Sequence, residues 1–408
     1  MARRALILVE GASNMLRYVQ AAKRLGLHPI TLSADPARYG YLAAEGIEVI
    51  RVDTDNLNAL IHECSKLRAS YDDIAGITSA LESSYATAGK LSRHFDLPGP
   101  NPESIERCCD KVTQRQLLAE AGVPIPAYRV ATDAADVESA AAEIGLPVIV
   151  KPAVGIGSMG VRLCLSVNEL AEHTTYLLGG SYMWRSSPRV LVEEFAQGPY
   201  YCADIMGDEV IGIFTGNFGR PPHFVYHDFT YPAVLTNDEH VRIADVSLSS
   251  LQALGLGWGP ACIEFRWTER GPVVIEVNPR LAGSPIPQLV ELAYGVDLVT
   301  EHIKLVIGDE WNLRRRHSHT AAVRFLIPDR DGILDWIDGD SQAAAGSGVA
   351  EVKFYVEPNM PIVRKGDYRD CLGYVIAATP SLGETEVALK RGVDLIDWSI
   401  KPFQTFGA

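Results

Sequence analysis

The stretch "VVIEVNPRL", residues 273–281, decides how the chain is read. Glu276, Asn278 and Arg280 are spaced two apart, with Ile275 and Val277 between them. In a strand that spacing sends the three polar groups to one face and both apolar side chains to the other, toward the core. A second short apolar run, "ACIEFRW" at 261–267, carries Glu264, and the intervening "TERG" fits a tight hairpin. Cross-strand neighbours on one face bring Glu264 and Glu276 together, where their repulsion is costly unless a cation bridges them. Mg²⁺ suits such a pair, because it takes a few carboxylate oxygens and completes its shell with nucleotide phosphate. Asn278 adds a neutral oxygen, and Arg280 can hold an anionic group in transfer.

Three further motifs bear on phosphate chemistry. In "VIVKPAVGIGSMGV" (148–161) a buried-strand pattern delivers Lys151, and a loop follows with glycines at 155, 157 and 160. Such a loop brings backbone N–H groups close to phosphate oxygens while the lysine supplies a point charge. It is not a Walker A loop, since no Gly-Lys-Ser/Thr closes it. In "DKVTQRQLLAEAGVPIPAY" (110–128) Lys111 stands at a helix start, where its charge opposes the helix dipole, a local cost that a function would explain. In "VLVEEFAQG" (190–198) two adjacent carboxylates end an apolar strand, whose backbone can face a flat heterocycle such as adenine. Taken singly, an exposed lysine and a solvated strand end explain the last two equally well.

The bulk numbers narrow the classes. With 408 residues, 47% hydrophobic and 22% charged, the chain reads as globular, with about three domains on length alone. A net charge of −14 with no basic block argues against a nucleic-acid surface, and no apolar run approaches a membrane span. Seven cysteines without metal or disulfide spacing point to a reducing, cytoplasmic setting.

Strand and helix patterns alternate through 5–100, implying a parallel sheet with covering helices. The first turn has a single glycine, so a dinucleotide fingerprint is absent, although "EGASN" (10–14) is a weak candidate phosphate turn. "LPGPNPES" breaks the chain. Residues 103–128 then read as one helix that ends at Gly122 with prolines beyond. Strands are expected near 320–327, 350–356 and 372–378, and a helix over "GETEVALKRGVDLI".

The order of these motifs resembles the ATP-grasp superfamily of carboxylate–amine ligases over most of the chain, and its tail resembles the L-amino-acid ligase branch. The resemblance implies an α/β and α+β architecture: a Rossmann-like N-terminal domain (1–100), a small subdomain with the glycine loop (101–186), a central subdomain with the metal site (187–312) and a C-terminal α+β lid segment (313–408). It implies that Lys111 and Lys151 contact ATP phosphates under a loop of Gly155, Ile156, Gly157, Ser158, Met159 and Gly160. Glu193, Glu194, Phe195 and Ala196 would hold adenine. Glu264, Glu276 and Asn278 would bind one or two Mg²⁺, or Mn²⁺, and Arg280 would stabilise the γ-phosphate and the acyl phosphate made from it.

Two departures stand out. Tyr200 occupies the position of a ribose-binding glutamate, leaving its hydroxyl as a candidate ribose contact. Val225-Tyr226-His227-Asp228-Phe229 replaces a Val-Glu-x-Gly-His pattern, which implies an altered amino-acid pocket around His227. Ala282, Gly283 and Ser284 would flank the acyl phosphate, and Glu82 would meet a substrate ammonium. The partners implied are amino acids and ATP, and a homodimer is compatible. Rival readings are a carboxylase or purine-type ligase acting on a nucleotide intermediate, a non-catalytic nucleotide-binding regulator, and a nicotinamide oxidoreductase, which lacks its glycine fingerprint.

Overall fold

The computed structural model describes residues 4–11, 14–71, 73–180, 182 and 188–403. The expected boundary at 186/187 and part of the "EGASN" turn (Ala12 and Ser13) lie outside these residues. Four parallel strands open the chain, in the spatial order Glu48–Arg51, His28–Ser33, Arg4–Val9 and Asp73–Thr78. The run "ALILV" makes the strand Arg4–Val9 central, and Ala5 to Val9 are all fully buried. Parallel neighbours require crossovers, which carry the helices Met15–Arg24, Gly40–Ala44 and Leu57–Ser70; the helix Glu82–His94 follows the last strand.

The helix expected over 103–122 is two helices, Pro102–Cys109 and Lys111–Glu120. Asp110 breaks the run: its backbone is extended, and its carboxylate accepts hydrogen bonds from the N–H groups of Val112 and Thr113. An N-cap of this kind satisfies donors that the helix start leaves open. It also offsets the unfavourable charge of Lys111 at the first helical position.

A second, antiparallel sheet orders Tyr128–Ala131, Val190–Glu194, Val148–Pro152 and Arg162–Cys164. The third sheet has eight antiparallel strands. It runs from the hairpin Gly271–Asn278 and Pro260–Thr268 through Tyr200–Met206, Glu209–Phe218 and Tyr226–Tyr231, then continues with Thr320–Leu326, Gly373–Thr379 and Val349–Phe354. Strands from both sides of residue 312 thus share one ladder, joined where Tyr231 pairs with Ala321. Two strands absent from the sequence reading, Gly332–Asp338 and Asp397–Lys401, form a small sheet with Pro361–Ile362. The helix Asn237–Leu254 begins with a capping box between Thr236 and Glu239, and its apolar stripe packs on the large sheet.

The first sheet's helices meet the rest of the molecule at His302, which is fully buried. Its ring nitrogens bond the hydroxyls of Tyr18 at 2.5 Å and Tyr85 at 3.0 Å. Burial pulls this imidazole down to about 3, so it is neutral in the interior. All seven cysteines are free. Among the described residues no helix is long and apolar enough to cross a membrane.

Asp204, on the central strand Tyr200–Met206, is 1% exposed, and its Oδ2 has no hydrogen-bond partner among the described residues. Burial pushes its carboxyl from 3.8 up to about 8. The folded chain therefore holds this proton more tightly than the unfolded one, so its contribution to stability is full below pH 3.8 and is lost as pH rises toward about 8. Asp204→Asn is expected to gain stability relative to the parent across that window and to level off above it. Thermal midpoints of both proteins against pH check this; a pH-independent difference refutes it.

Candidate active site

The hairpin of residues 260–278 brings Glu264 directly opposite Glu276. A register shift follows, so that Phe265 faces Val274 and Ile275 is left as a bulge. This corrects the simple alternation. Val277 does pack in the core, but Ile275 is half-buried and lines the cleft, and its carbonyl accepts from Arg115. The strand ends at Asn278, and Arg280 lies just past it. Asn278 donates to Glu264 at 3.4 Å, and Arg280 donates to the Asn278 amide oxygen at 3.3 Å.

Opposite the hairpin stand two lysines. Lys111 Nζ lies 2.7 Å from Glu276 Oε1 and donates to the carbonyl of Gly155 at 2.8 Å. Burial works against the Lys111 charge, but Glu276 and Glu82 outweigh it and hold its pKa up. Lys151 Nζ sits 2.6 Å from Glu193, whose other oxygen takes Arg115 Nε at 2.6 Å. Burial with Arg115 alongside pulls the Lys151 pKa down despite Glu193. Burial alone would raise Glu193, yet the two cations win and lower it to about 2.

The paired carboxylates are unequal. Burial and the charge of Glu276 push Glu264 up to about 7. Against the same burial, Lys111 and Lys151 hold Glu276 down. Two opposed carboxylates with a neutral amide, one of them short of positive charge, are a donor set that fits a hard divalent cation.

Between the strands Val148–Pro152 and Arg162–Cys164 runs the glycine loop. Gly157, Ser158 and Gly160 all have positive φ, at 58°, 64° and 71°. The Gly157 carbonyl accepts from the N–H of Tyr368 at 3.3 Å, and a Cβ at Gly157 would meet the Tyr368 ring at 2.3 Å. The loop is therefore docked against the C-terminal segment. Ile156, Ser158, Met159, Phe195 and Ala196 line the same cleft as the two lysines.

Several expected contacts are redirected. Glu193 is 2% exposed and committed to Lys151 and Arg115, while Glu194 pairs with Arg270 at 2.8 Å and accepts from the N–H of Ala127. Only the backbone of this strand end remains for a heterocycle. Tyr200 is 5% exposed and lines the cleft together with Glu264. Glu82 does begin a helix, but its carboxylate is spent on Arg280 Nε at 3.0 Å. His227 bonds Asp228 at 2.8 Å and does not line the cleft, whereas its strand neighbour Tyr226 does. Ala282, Gly283 and Ser284 line a second cavity beside Arg280.

Arg115 is the residue that sequence reasoning missed. It is 1% exposed and four positions after Lys111, one helical turn on, which is the signal that could have found it. Glu193→Gln leaves two buried cations without their carboxylate and is expected to destabilise the fold by about 3–5 kcal/mol in denaturant unfolding. Gly157→Ala, strained at positive φ and pressed on Tyr368, is expected to displace the loop, costing about 1 kcal/mol or more of stability and weakening ATP binding. A parental ATP affinity in a titration would contradict this.

The comparisons bear on the whole chain. Residues 110–314 match the family "Carbamoyl-phosphate synthase L chain, ATP binding domain", and residues 324–401 match "L-amino acid ligase C-terminal domain 2". The uncharacterized protein y4rH of Sinorhizobium fredii is 63% identical over 98% of this chain and 84% of its own length. Human carnosine synthase 1 is 24% identical over 94% of this chain, which spans 49% of that relative's length. The L-amino acid ligase of Bacillus licheniformis superposes with a TM-score of 0.83 at 19% identity, covering 98% of this chain and all of that one. This likeness shows the fold. The chain belongs to the ATP-grasp ligase family, whose members work with ATP and Mg²⁺ or Mn²⁺, and it carries the C-terminal domain of the L-amino acid ligases.

Proposed function

We propose that this protein is an ATP-dependent carboxylate–amine ligase that activates a small carboxylic acid as its acyl phosphate and passes the acyl group to an amine, itself an amino acid. One observation carries the reading: Lys111, Lys151 and Arg280 converge with the opposed pair Glu264 and Glu276 on a cleft that continues into a second cavity. The relatives of the L-amino acid ligase type point the same way.

In the first step a substrate carboxylate oxygen attacks the γ-phosphorus of ATP. The bond to the β,γ-bridging oxygen breaks, and ADP leaves with the electron pair. In the second step the amine nitrogen attacks the acyl carbon, the carbon–oxygen bond to phosphate breaks, and the nitrogen releases its proton to solvent. Little covalent chemistry is asked of the protein in phosphoryl transfer, so positioning and electrostatics do most of the work. Lys151, oriented by Glu193, presents a fixed charge to the phosphates. Lys111 can exchange its contact with Glu276 for a phosphate oxygen. Arg280 faces the acid being activated. Glu264, Glu276 and Asn278 would hold Mg²⁺, which when bound neutralises phosphate charge. The adenine would lie against the backbone of Phe195 and Ala196. The loop at 155–160, docked on Tyr368, would exclude water from an acyl phosphate that hydrolyses easily. Seven free cysteines suit a reducing cytoplasmic compartment.

A carboxylase or purine-type ligase would need a further phosphate pocket in the first domain. At the carboxyl end of that sheet, however, the Glu10 carboxylate already accepts from Ser33, Ala34, Tyr39 and Thr54. An internal anion occupies the donors a substrate phosphate would want, which favours the amino-acid ligase.

The purified protein with ATP and Mg²⁺ is expected to release ADP, not AMP, only when both a carboxylate and an amine are supplied. ADP released with purine or biotin intermediates, and with no carboxylate–amine pair, would overturn the reading. Glu276→Ala is expected to abolish turnover; unchanged activity would mean that the metal ligands lie elsewhere.

A further inference from the structure

Beside Arg280 a cavity of about 610 Å³ separates the large sheet from the C-terminal segment, sharing Ile156, Gly157 and Glu264 with the nucleotide cleft. Its floor is aromatic. Phe214, Tyr226, Phe229 and Phe325 form a connected set with ring centroids 5.3 to 6.1 Å apart. Gly216 makes room for this set, since a Cβ there would meet the Phe229 ring at 2.1 Å.

Among the described residues the charged side chains of the wall are Glu264, Arg280, Lys353 and Arg369, and Arg280 is paired with Glu82 at 3.0 Å. Glu264 belongs to the candidate metal site. Arg369 is already bonded to Asp367 at 2.8 Å, whereas Lys353 has no carboxylate partner among the described residues and stands 5.6 Å from the Tyr355 ring centre. The expected ammonium partner, Glu82, is absent from the wall, which takes only Ala80 and Leu81 from that segment. An ammonium group brought here would lose water and meet no uncommitted carboxylate side chain among the described residues, with the Lys353 charge in the same wall. A carboxylate on a bulky apolar body meets the opposite conditions: cations for its charge and aromatic rings for its surface.

Resting on the ligase reading above, we propose that the acyl donor is an aromatic or similarly bulky apolar carboxylic acid without an α-ammonium group. Its carboxylate lies at Arg280 and its body against Phe214, Tyr226, Phe229 and Phe325. The product is then an N-acyl amino acid rather than a dipeptide. Bond making and breaking are those of the two steps already given, with ATP as the only co-reactant.

The test uses the full chain with ATP and Mg²⁺, and compares 3-phenylpropionate, L-phenylalanine and L-alanine as donors against one panel of amino acids. ADP release and product mass are read together. Expected is an N-(3-phenylpropionyl) amino acid, with kcat/KM for 3-phenylpropionate about tenfold or more above that for phenylalanine. Dipeptides formed from phenylalanine or alanine with equal or better kcat/KM overturn this inference and leave the ligase reading standing. No ADP from any pair overturns both. Phe325→Leu is expected to raise KM for 3-phenylpropionate several-fold while leaving KM for ATP near the parental value. Equal losses for every donor and for ATP would mark Phe325 as structural only and remove it from the donor wall.

Discussion

Glu193 lies 2.6 Å from Lys151 Nζ and 2.6 Å from Arg115 Nε, with all three side chains almost wholly out of water. Burying a charge is costly unless it is paired and hydrogen-bonded, and removing one partner exposes the full cost of the others. This triad ties three elements at once. Glu193 comes from an inner strand of the second sheet, Lys151 from its neighbour, and Arg115 from the helix that leads into that sheet. Arg115 also donates to the bulged carbonyl of Ile275, so the second sheet is fastened to the hairpin that carries Glu264 and Glu276. The mutual position of the lysines and the carboxylates follows from that link together with the two hydrogen bonds between the Gln114 amide and the Val277 backbone.

Around it the cleft is close to electrically balanced. Lys111, Lys151, Arg115 and Arg280 stand against Glu82, Glu193, Glu264 and Glu276. A triphosphate entering this space must bring cations of its own or displace carboxylates from their lysines. Glu264, held up toward neutrality by burial and by Glu276, is the group most in need of positive charge. Lys111 is the group with alternatives, since it bridges Glu276 and the glycine-loop carbonyl of Gly155. Glu276 and the glycine loop are thereby joined through a single ammonium group.

Much of the fold was legible because its signals are local. Buried strands such as "ALILV" and "VIVK" announce themselves by composition, and the two-residue turn between residues 268 and 271 sets a register that by itself would put Glu264 opposite Ile275. The bulge at Ile275, which local spacing does not announce, brings it opposite Glu276. The strands Gly332–Asp338 and Asp397–Lys401 escaped, because they are short, half-exposed and paired with each other across more than fifty residues of chain. The break at Asp110 escaped too, since nothing in a helical pattern says which Asp will turn its carboxylate back on the backbone.

The sequence by itself determined the family, the order of the motifs and the side chains available for phosphate and metal chemistry, because these rest on residue types at short spacings. Only the tertiary structure decided how those side chains spend their charge. Glu193 serves Lys151 rather than a base, Glu82 serves Arg280 rather than an ammonium, and His227 turns to Asp228 and away from the cleft. The first two of these choices depend on a partner from another element, dozens to hundreds of positions away, whereas His227 takes its own strand neighbour. A one-residue bulge at Ile275 is enough to swap which face a side chain takes. Electrostatic partners are set by distance in space and by burial, and neither is written in local spacing.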